Sequence, residues 1–151
     1  MKNINVYINR DNTPYLVRDG ADYNLPPVCN QAARIYEAAK ELKHDCLAEE
    51  KCIAYFLDIH TGLIAFSEVS HGSSTDAPIN IQGILRRALL VNAHSIIFTH
   101  NHPSGDWMPS ANDISATNAL KEACTAINIP LLDHIIISRD GYYSFAENGG
   151  M

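Results

Sequence analysis

The stretch Ser95-Ile96-Ile97-Phe98-Thr99-His100-Asn101-His102-Pro103 decides how this chain is read. Residues Ser95 to Thr99 form a short apolar and β-branched run, bounded downstream by Pro103-Ser104-Gly105, and read as a buried strand that delivers His100 at its carboxyl end. Side chains alternate along an extended backbone, so His100 and His102 project to one side and Asn101 to the other. Imidazole nitrogens suit a divalent zinc ion. Pro103, Gly105 and Pro109 bracket a loop that can bring the following segment back against the strand. Ser110 opens a helix carrying Ile114, Thr117, Leu120, Cys124 and Ile127 on one side, and Asn128 and Pro130 end it. Asp113 falls in the first turn of that helix, within reach of an ion held at the strand end. Two imidazoles and one carboxylate leave a fourth position open for water, the arrangement of a catalytic rather than a structural zinc.

Each of these residues also has a plainer use. Ser110 and Asp113 stand at the spacing of a capping box, in which a hydroxyl and a carboxylate satisfy the helix amino terminus. Histidines at strand ends often serve only as hydrogen-bonding groups. The specificity lies in the combination of the histidine pair, the Pro-Ser-Gly loop and the helix start. A zinc hydrolase further needs a general base and donors for a developing oxyanion. Upstream carboxylates able to act as the base are Glu49, Glu50, Asp58 and Glu68, and spacing does not choose among them. The Ser110 hydroxyl can either donate to an oxyanion or cap the helix. Asn101 can position substrate or hold the loop, and His134, next to Asp133, can orient a metal ligand or sit in the core.

Working outward, Ile4, Val6 and Ile8 alternate as a strand, with Tyr15 to Val17 as a hairpin partner and Leu25-Pro26-Pro27 as a connector. A helix is expected from Gln31 to His44, strands from Cys52 to Ile59 and from Leu63 to Val69, and a polar loop from Ser70 to Asp76. A second amphipathic helix carries Ile81, Ile84, Leu85, Ala88 and Leu89, and further strands run from His134 to Ser138 and from Tyr142 to Phe145. The order is mixed α/β. Hairpins flank the helices, which predicts a mixed sheet rather than a doubly wound parallel one. Residues 1–30 are expected as an amino-terminal hairpin and connector, 31–147 as the main body of a single compact domain, and Glu147 to Met151 as a poorly ordered tail.

Composition narrows the function classes. The chain of 151 residues is long enough for one domain with a real core. No apolar run reaches the roughly 20 residues of a membrane span, and the amino terminus does not read as a secretory signal, so a cytoplasmic protein is expected. The four cysteines show no CxxC or CxC spacing and are expected as reduced thiols. The net charge of -6 argues against direct nucleic-acid binding. The adjacent basic pair Arg86-Arg87 falls within a helix and is expected on its solvated face. A peptide or protein substrate is electrostatically easier.

The string His100-x-His102-Pro103 followed by Ser110-x-x-Asp113 resembles the JAMM motif of the JAB/MPN metalloproteases. The longer HNHPSGDWMPSANDI, with ILRRALLVNAHSIIFTHNHPSG before it and IPLLDHIIIS…GYYSF after it, is similar to the RadC branch. The resemblance runs from Ala48 to Phe145. It implies a cytidine-deaminase-like α-β-α sandwich, one zinc ion on His100, His102 and Asp113, and Ser110 as the residue stabilising the tetrahedral intermediate. It also implies an acidic base just ahead of the apolar strand, where Glu50 is the best match, with Glu49 adjacent and Glu68 third. The expected activity is hydrolysis of a peptide or isopeptide-like amide. The alternative is a non-catalytic binding module in a DNA repair or mobile-element system. RadC-type proteins usually carry a helix-hairpin-helix region ahead of this domain, and the first 30 residues do not resemble it.

Overall fold

The computed structural model describes residues 1–72 and 79–151. In chain order the elements are β1 (Asn3–Ile8), β2 (Pro14–Asp19), α1 (Ala32–Glu41), a 3-10 turn at His44–Cys46, β3 (Glu50–Leu57), β4 (Leu63–Gly72), α2 (Ile81–Leu90), β5 (Ser95–Asn101), α3 (Ala111–Ala126), β6 (Leu131–Ile137) and β7 (Tyr142–Ser144). Among the described residues the strands form one mixed sheet in the order β2-β1-β4-β3-β5-β6-β7. Neighbours are antiparallel except for β5 with β6 and a brief parallel contact of β1 with β4 at Asn3 and Phe66.

Strand alternation divides the apolar residues between two faces. Ala54, Phe56, Ile96 and Phe98 join Ile84 and Ala88 of α2 and Leu120 and Cys124 of α3 in one core. Ile53, Tyr55, Leu57, Ile97, Ile135 and Ile137 join Ile35, Ala38 and Ala39 of α1 in the other. The result is three layers, with α1 on one face of the sheet and α2 and α3 on the other, as the family resemblance implies, built on the mixed sheet that the element order predicts. Every residue of β5 is buried. This central strand therefore reads as a continuous apolar run up to the point where polar side chains emerge at its carboxyl end.

Several boundaries differ from the sequence expectation, each for a local reason. Helix α1 stops at Glu41 instead of reaching His44, because Lys43 takes a left-handed conformation (φ 55°) and the chain tightens into the 3-10 turn. Strand β3 starts two residues earlier than expected, at Glu50, and ends at Leu57, where the Asp58 carboxylate accepts from the amides of His60 and Gly62 and forms the turn. Strand β4 continues through Gly72 and so absorbs the first part of the expected loop; the rest of that loop, residues 73–76, lies outside the described residues. Arg86 is exposed as expected, but Arg87 folds back half-buried and donates to the Gly83 carbonyl of its own helix (3.0 Å). The carboxyl terminus is not a loose tail: the Gly150 amide donates to the Phe145 carbonyl (2.7 Å), the Asn148 carboxamide donates to the Ser144 carbonyl (2.8 Å), and Met151 packs on the core. None of the described helices is long and apolar enough to cross a membrane.

Candidate metal centre

The carboxyl ends of the parallel pair β5 and β6 lie side by side. Their register puts Phe98 beside His134 and His100 beside Ile136. The His102 amide carries the ladder one residue past β5 by donating to the Ile137 carbonyl (3.0 Å). His102 thus keeps the strand's alternation and faces the same side as His100, the side covered by α3. The chain then reverses through Gly105, whose positive φ of 88° suits glycine, and Ser110 starts α3 with a complete capping box. The Trp107 ring of this loop lies over Gly141, so it serves at least in part as a cover for the end of the sheet.

His100, His102 and Asp113 converge as the sequence predicts, with one ligand atom from each lying within 4.8 Å of the others. His100 Nε2 is 2.9 Å from His102 Nε2 and 3.1 Å from Asp113 Oδ1, and His102 Nε2 is 3.5 Å from Asp113 Oδ2. The surrounding hydrogen bonds orient these donors. His102 Nδ1 lies 2.7 Å from the Asp106 carbonyl, which can only accept, so the hydrogen sits on Nδ1 and Nε2 is left bare. His100 Nδ1 meets His134 Nε2 at 2.8 Å, His134 Nδ1 meets Thr117 Oγ1 at 2.6 Å, and Thr117 Oγ1 donates to the Asp113 carbonyl at 2.6 Å. With Thr117 spending its single hydrogen on that carbonyl, it accepts from His134 Nδ1. His134 Nε2 then accepts from His100 Nδ1, and His100 Nε2 is bare as well. Burial holds His134 neutral, well below its ordinary pKa, which this chain requires.

Two bare imidazole nitrogens and a carboxylate aimed at one point repel one another unless a cation or a proton lies between them. The donor set therefore fits a borderline divalent metal with nitrogen and oxygen ligands and open coordination. Protonation competes for the same position. The hydrogen bond to Asp113 raises the pKa of His102 against the opposing effect of burial. In that protonated, metal-free form burial pulls the Asp113 carboxyl upward, but hydrogen bonds from His100 and His102 and from the Ser110 hydroxyl outweigh it, and the group lies well below the usual carboxylate range.

A cavity of about 440 Å³ opens beside this cluster. Its lining includes Glu50, His100, Asp113 and His134 together with apolar residues such as Ile79, Ile81 and Phe98. The three remaining base candidates besides Glu50 are engaged elsewhere. Glu49 accepts from His71 Nε2 (2.7 Å); Glu68 pairs with Lys51 Nζ (2.8 Å) and His71 Nδ1 (3.1 Å); and Asp58 is held in its turn. Alternation explains the division, since Glu50 shares the face of Cys52 and Ala54 whereas Glu49 and Lys51 do not. The Ser110 hydroxyl donates to Asp113 Oδ2 (2.6 Å) and accepts from the Asp113 amide (3.1 Å). Asp133 turns away from His134 and instead accepts from the Ser144 hydroxyl and the Ala146 amide (2.9 Å), so it does not form a carboxylate-imidazole pair. His60 and His94 stand apart from the cluster, whereas His44 is buried and bonded within the protein.

With the cluster in place, the profile of the RadC-like JAB domain matches residues 29–150. The chain belongs to this RadC-like JAB family. It is 43% identical over 102 residues to a UPF0758 protein of Stenotrophomonas maltophilia, covering 68% of this chain and 44% of that protein. It is 45% identical over 94 residues to a UPF0758 protein of Janthinobacterium, covering 62% and 42%, and 34% identical over 125 residues to one from Thermotoga maritima, covering 83% and 55%. The chain thus spans about half the length of the curated relatives it matches. The RadC-like JAB match begins at Cys29, ahead of the stretch on which the sequence resemblance rests, and takes in α1.

Three residues help to hold this site together through partners that the sequence does not reveal. Thr117 enters the sequence reading only as part of an apolar helix face, His44 only as the expected end of the first helix, and Asn101 as a candidate for holding the loop but without its bonding partners. Thr117 meets His134 17 positions away and Asn101 bonds Lys51 50 positions away, while His44 bonds Lys51 seven positions on, across the 3-10 turn, so helix and strand periodicity carry no signal for these bonds.

Proposed function

We propose that this RadC-like JAB domain is a zinc-dependent hydrolase of the JAMM type that cleaves a peptide or isopeptide-like amide. His100, His102 and Asp113 would hold the ion. Bound there, zinc would lower the pKa of a coordinated water toward about 7 and polarise the amide carbonyl. Glu50, which lines the same cavity, accepts the proton from the attacking water and returns it to the amide nitrogen as the C–N bond breaks, so that one carboxylate and one amine leave. The Ser110 hydroxyl lies one turn from the cluster and would stabilise the oxyanion by exchanging its bond to Asp113 for one to the substrate. The observation that carries this reading is the set of two bare Nε2 atoms and a carboxylate beside a cavity that Glu50 also lines.

The test uses the full chain, loaded with zinc, against a mixed-sequence library of internally quenched peptides and an isopeptide-linked conjugate. We expect one zinc per chain and cleavage. Glu50→Gln keeps the zinc and loses about 100-fold or more of the hydrolysis, while Glu49→Gln and Glu68→Gln stay within about threefold of the native rate. Full activity in Glu50→Gln would overturn the assignment of the base. Stoichiometric zinc with no cleavage of any substrate would favour the binding module instead.

A further inference from the structure

Resting on the hydrolase reading above, we propose that Asn101 is a positioning residue for Glu50, its carboxamide standing in for a neighbouring strand and fixing the backbone on both sides of the base. The ladder between β3 and β5 ends at the pair Cys52 and His100. Past that pair β5 continues along β6, with Asn101 beside Ile137, and diverges from β3. The Asn101 side chain fills the place that a peptide group would have taken. Its Oδ1 accepts from the Lys51 amide (2.7 Å), and its Nδ2 donates to the Glu49 carbonyl (3.0 Å). These are the two backbone groups that flank Glu50. On the next peptide unit, His44 Nε2 donates to the Lys51 carbonyl (2.7 Å), and burial pushes His44 down to about 4, so it acts as a neutral donor.

The chemistry selects asparagine. A carboxamide offers one acceptor and one donor, the complement of an N–H on one side and a C=O on the other. An aspartate of the same shape has no donor and would place an anionic oxygen against the Glu49 carbonyl. Asn101 is only 1% exposed, so its two bonds are made away from competing water. It also sits between the two histidines on one strand end, so three consecutive residues set both the ligand pair and the distance from the ligands to the base. That distance matters because a proton acceptor must come within about 2.6–3.2 Å of its donor, and a displacement of about 1 Å can lower a rate by about 100-fold.

The experiment compares the zinc-loaded full chain with Asn101→Asp and Asn101→Ser, reading amide hydrogen exchange at Lys51, zinc per chain, and kcat and KM on the peptide the native chain cleaves. Cys124→Ala, a core change on the far part of α3, serves as a control for loss of general stability. We expect Lys51 exchange to accelerate about tenfold or more in both Asn101 variants with zinc per chain unchanged. kcat should fall about 10- to 100-fold with KM within about twofold, while Cys124→Ala leaves Lys51 exchange and kcat as they were. Unchanged protection of Lys51, or native kcat once Lys51 is released, overturns the proposal. If the native chain cleaves nothing, the hydrolase reading and Glu50's proton transfer fall together, and the Lys51 exchange separately shows whether the clamp exists.

Discussion

Replacing Thr117 with valine tests whether the chain Asp113 carbonyl, Thr117, His134, His100 sets which ring nitrogen of His100 carries its hydrogen. The substitution keeps the shape of a side chain that is 1% exposed and removes one oxygen. The Asp113 carbonyl still has the α3 backbone to accept from, so the loss falls on His134. Its Nδ1 hydrogen, 2.6 Å from Thr117 Oγ1 in the native protein, then points at a methyl group. His134 can avoid the orphaned donor by moving its hydrogen to Nε2. That forces His100 Nδ1 to accept and places the His100 hydrogen on Nε2, where it can donate to Asp113 Oδ1 at 3.1 Å. This second arrangement is acceptable without metal and incompatible with it. Binding zinc must restore the first arrangement and leave a buried N–H unpaired, which costs about 1–3 kcal/mol. At about 1.4 kcal/mol per tenfold, zinc affinity falls between about 5-fold and about 100-fold. Competition against a zinc-binding dye measures the affinity, and nitrogen-15 shifts of the imidazoles report which ring nitrogen carries the hydrogen. Native affinity together with a native hydrogen pattern in Thr117→Val would refute the reasoning.

Other expectations follow from the same geometry. His44 is buried neutral, with its pKa lowered from 6.5 to about 4 by burial; the unfolded chain takes up this proton first, so its contribution to stability is complete above about pH 6.5 and is lost as pH falls toward 4. The loss is of order 3 kcal/mol, and denaturant unfolding of His44→Gln across that range should show a slope shallower by about one proton. Zinc at about 100 times its dissociation constant should stabilise the fold by about 2.7 kcal/mol, a gain visible as a higher Tm and reversed by a chelator. Because the pKa of His102 is raised by Asp113, that gain should fade as the solution is acidified and His102 takes up the competing proton.

The fold and the candidate site were legible to different depths. β5 was readable because its apolar run is continuous and ends abruptly in His-Asn-His, and the convergence of His100, His102 and Asp113 followed because alternation in a strand and the first turn of a helix both fix direction. Choosing Glu50 over Glu49 was harder. Only one of two adjacent residues in a strand can face the site, but β3 is apolar on both faces, so its sequence hides the parity that would have decided. The bulge in β4 at Val69, where Cys52 pairs with Ser70 but Ile53 pairs with Glu68, was equally hidden. It turns Ser70 and Gly72 toward the cavity. The early end of α1 depends on one left-handed residue, Lys43, which carries no glycine signal.

The two uses of Asp113 that compete on paper turn out to be one arrangement. Its Oδ2 accepts from the Ser110 amide (2.7 Å) and hydroxyl (2.6 Å), which completes the cap. Its Oδ1 faces His100 Nε2 at 3.1 Å, in the direction a metal would take. A carboxylate has two oxygens, and the cap leaves one for the site. The cap also orients the ligand, because two hydrogen bonds to Oδ2 hold the plane of the carboxylate, and the amino end of α3 favours its negative charge. The capping box and the cluster are therefore not alternatives at Asp113. The helix start supports the carboxylate from outside the cluster. Ser110→Ala should therefore cost more than a cap: it removes the hydroxyl that holds Asp113 in place, so metal affinity and helix stability fall together.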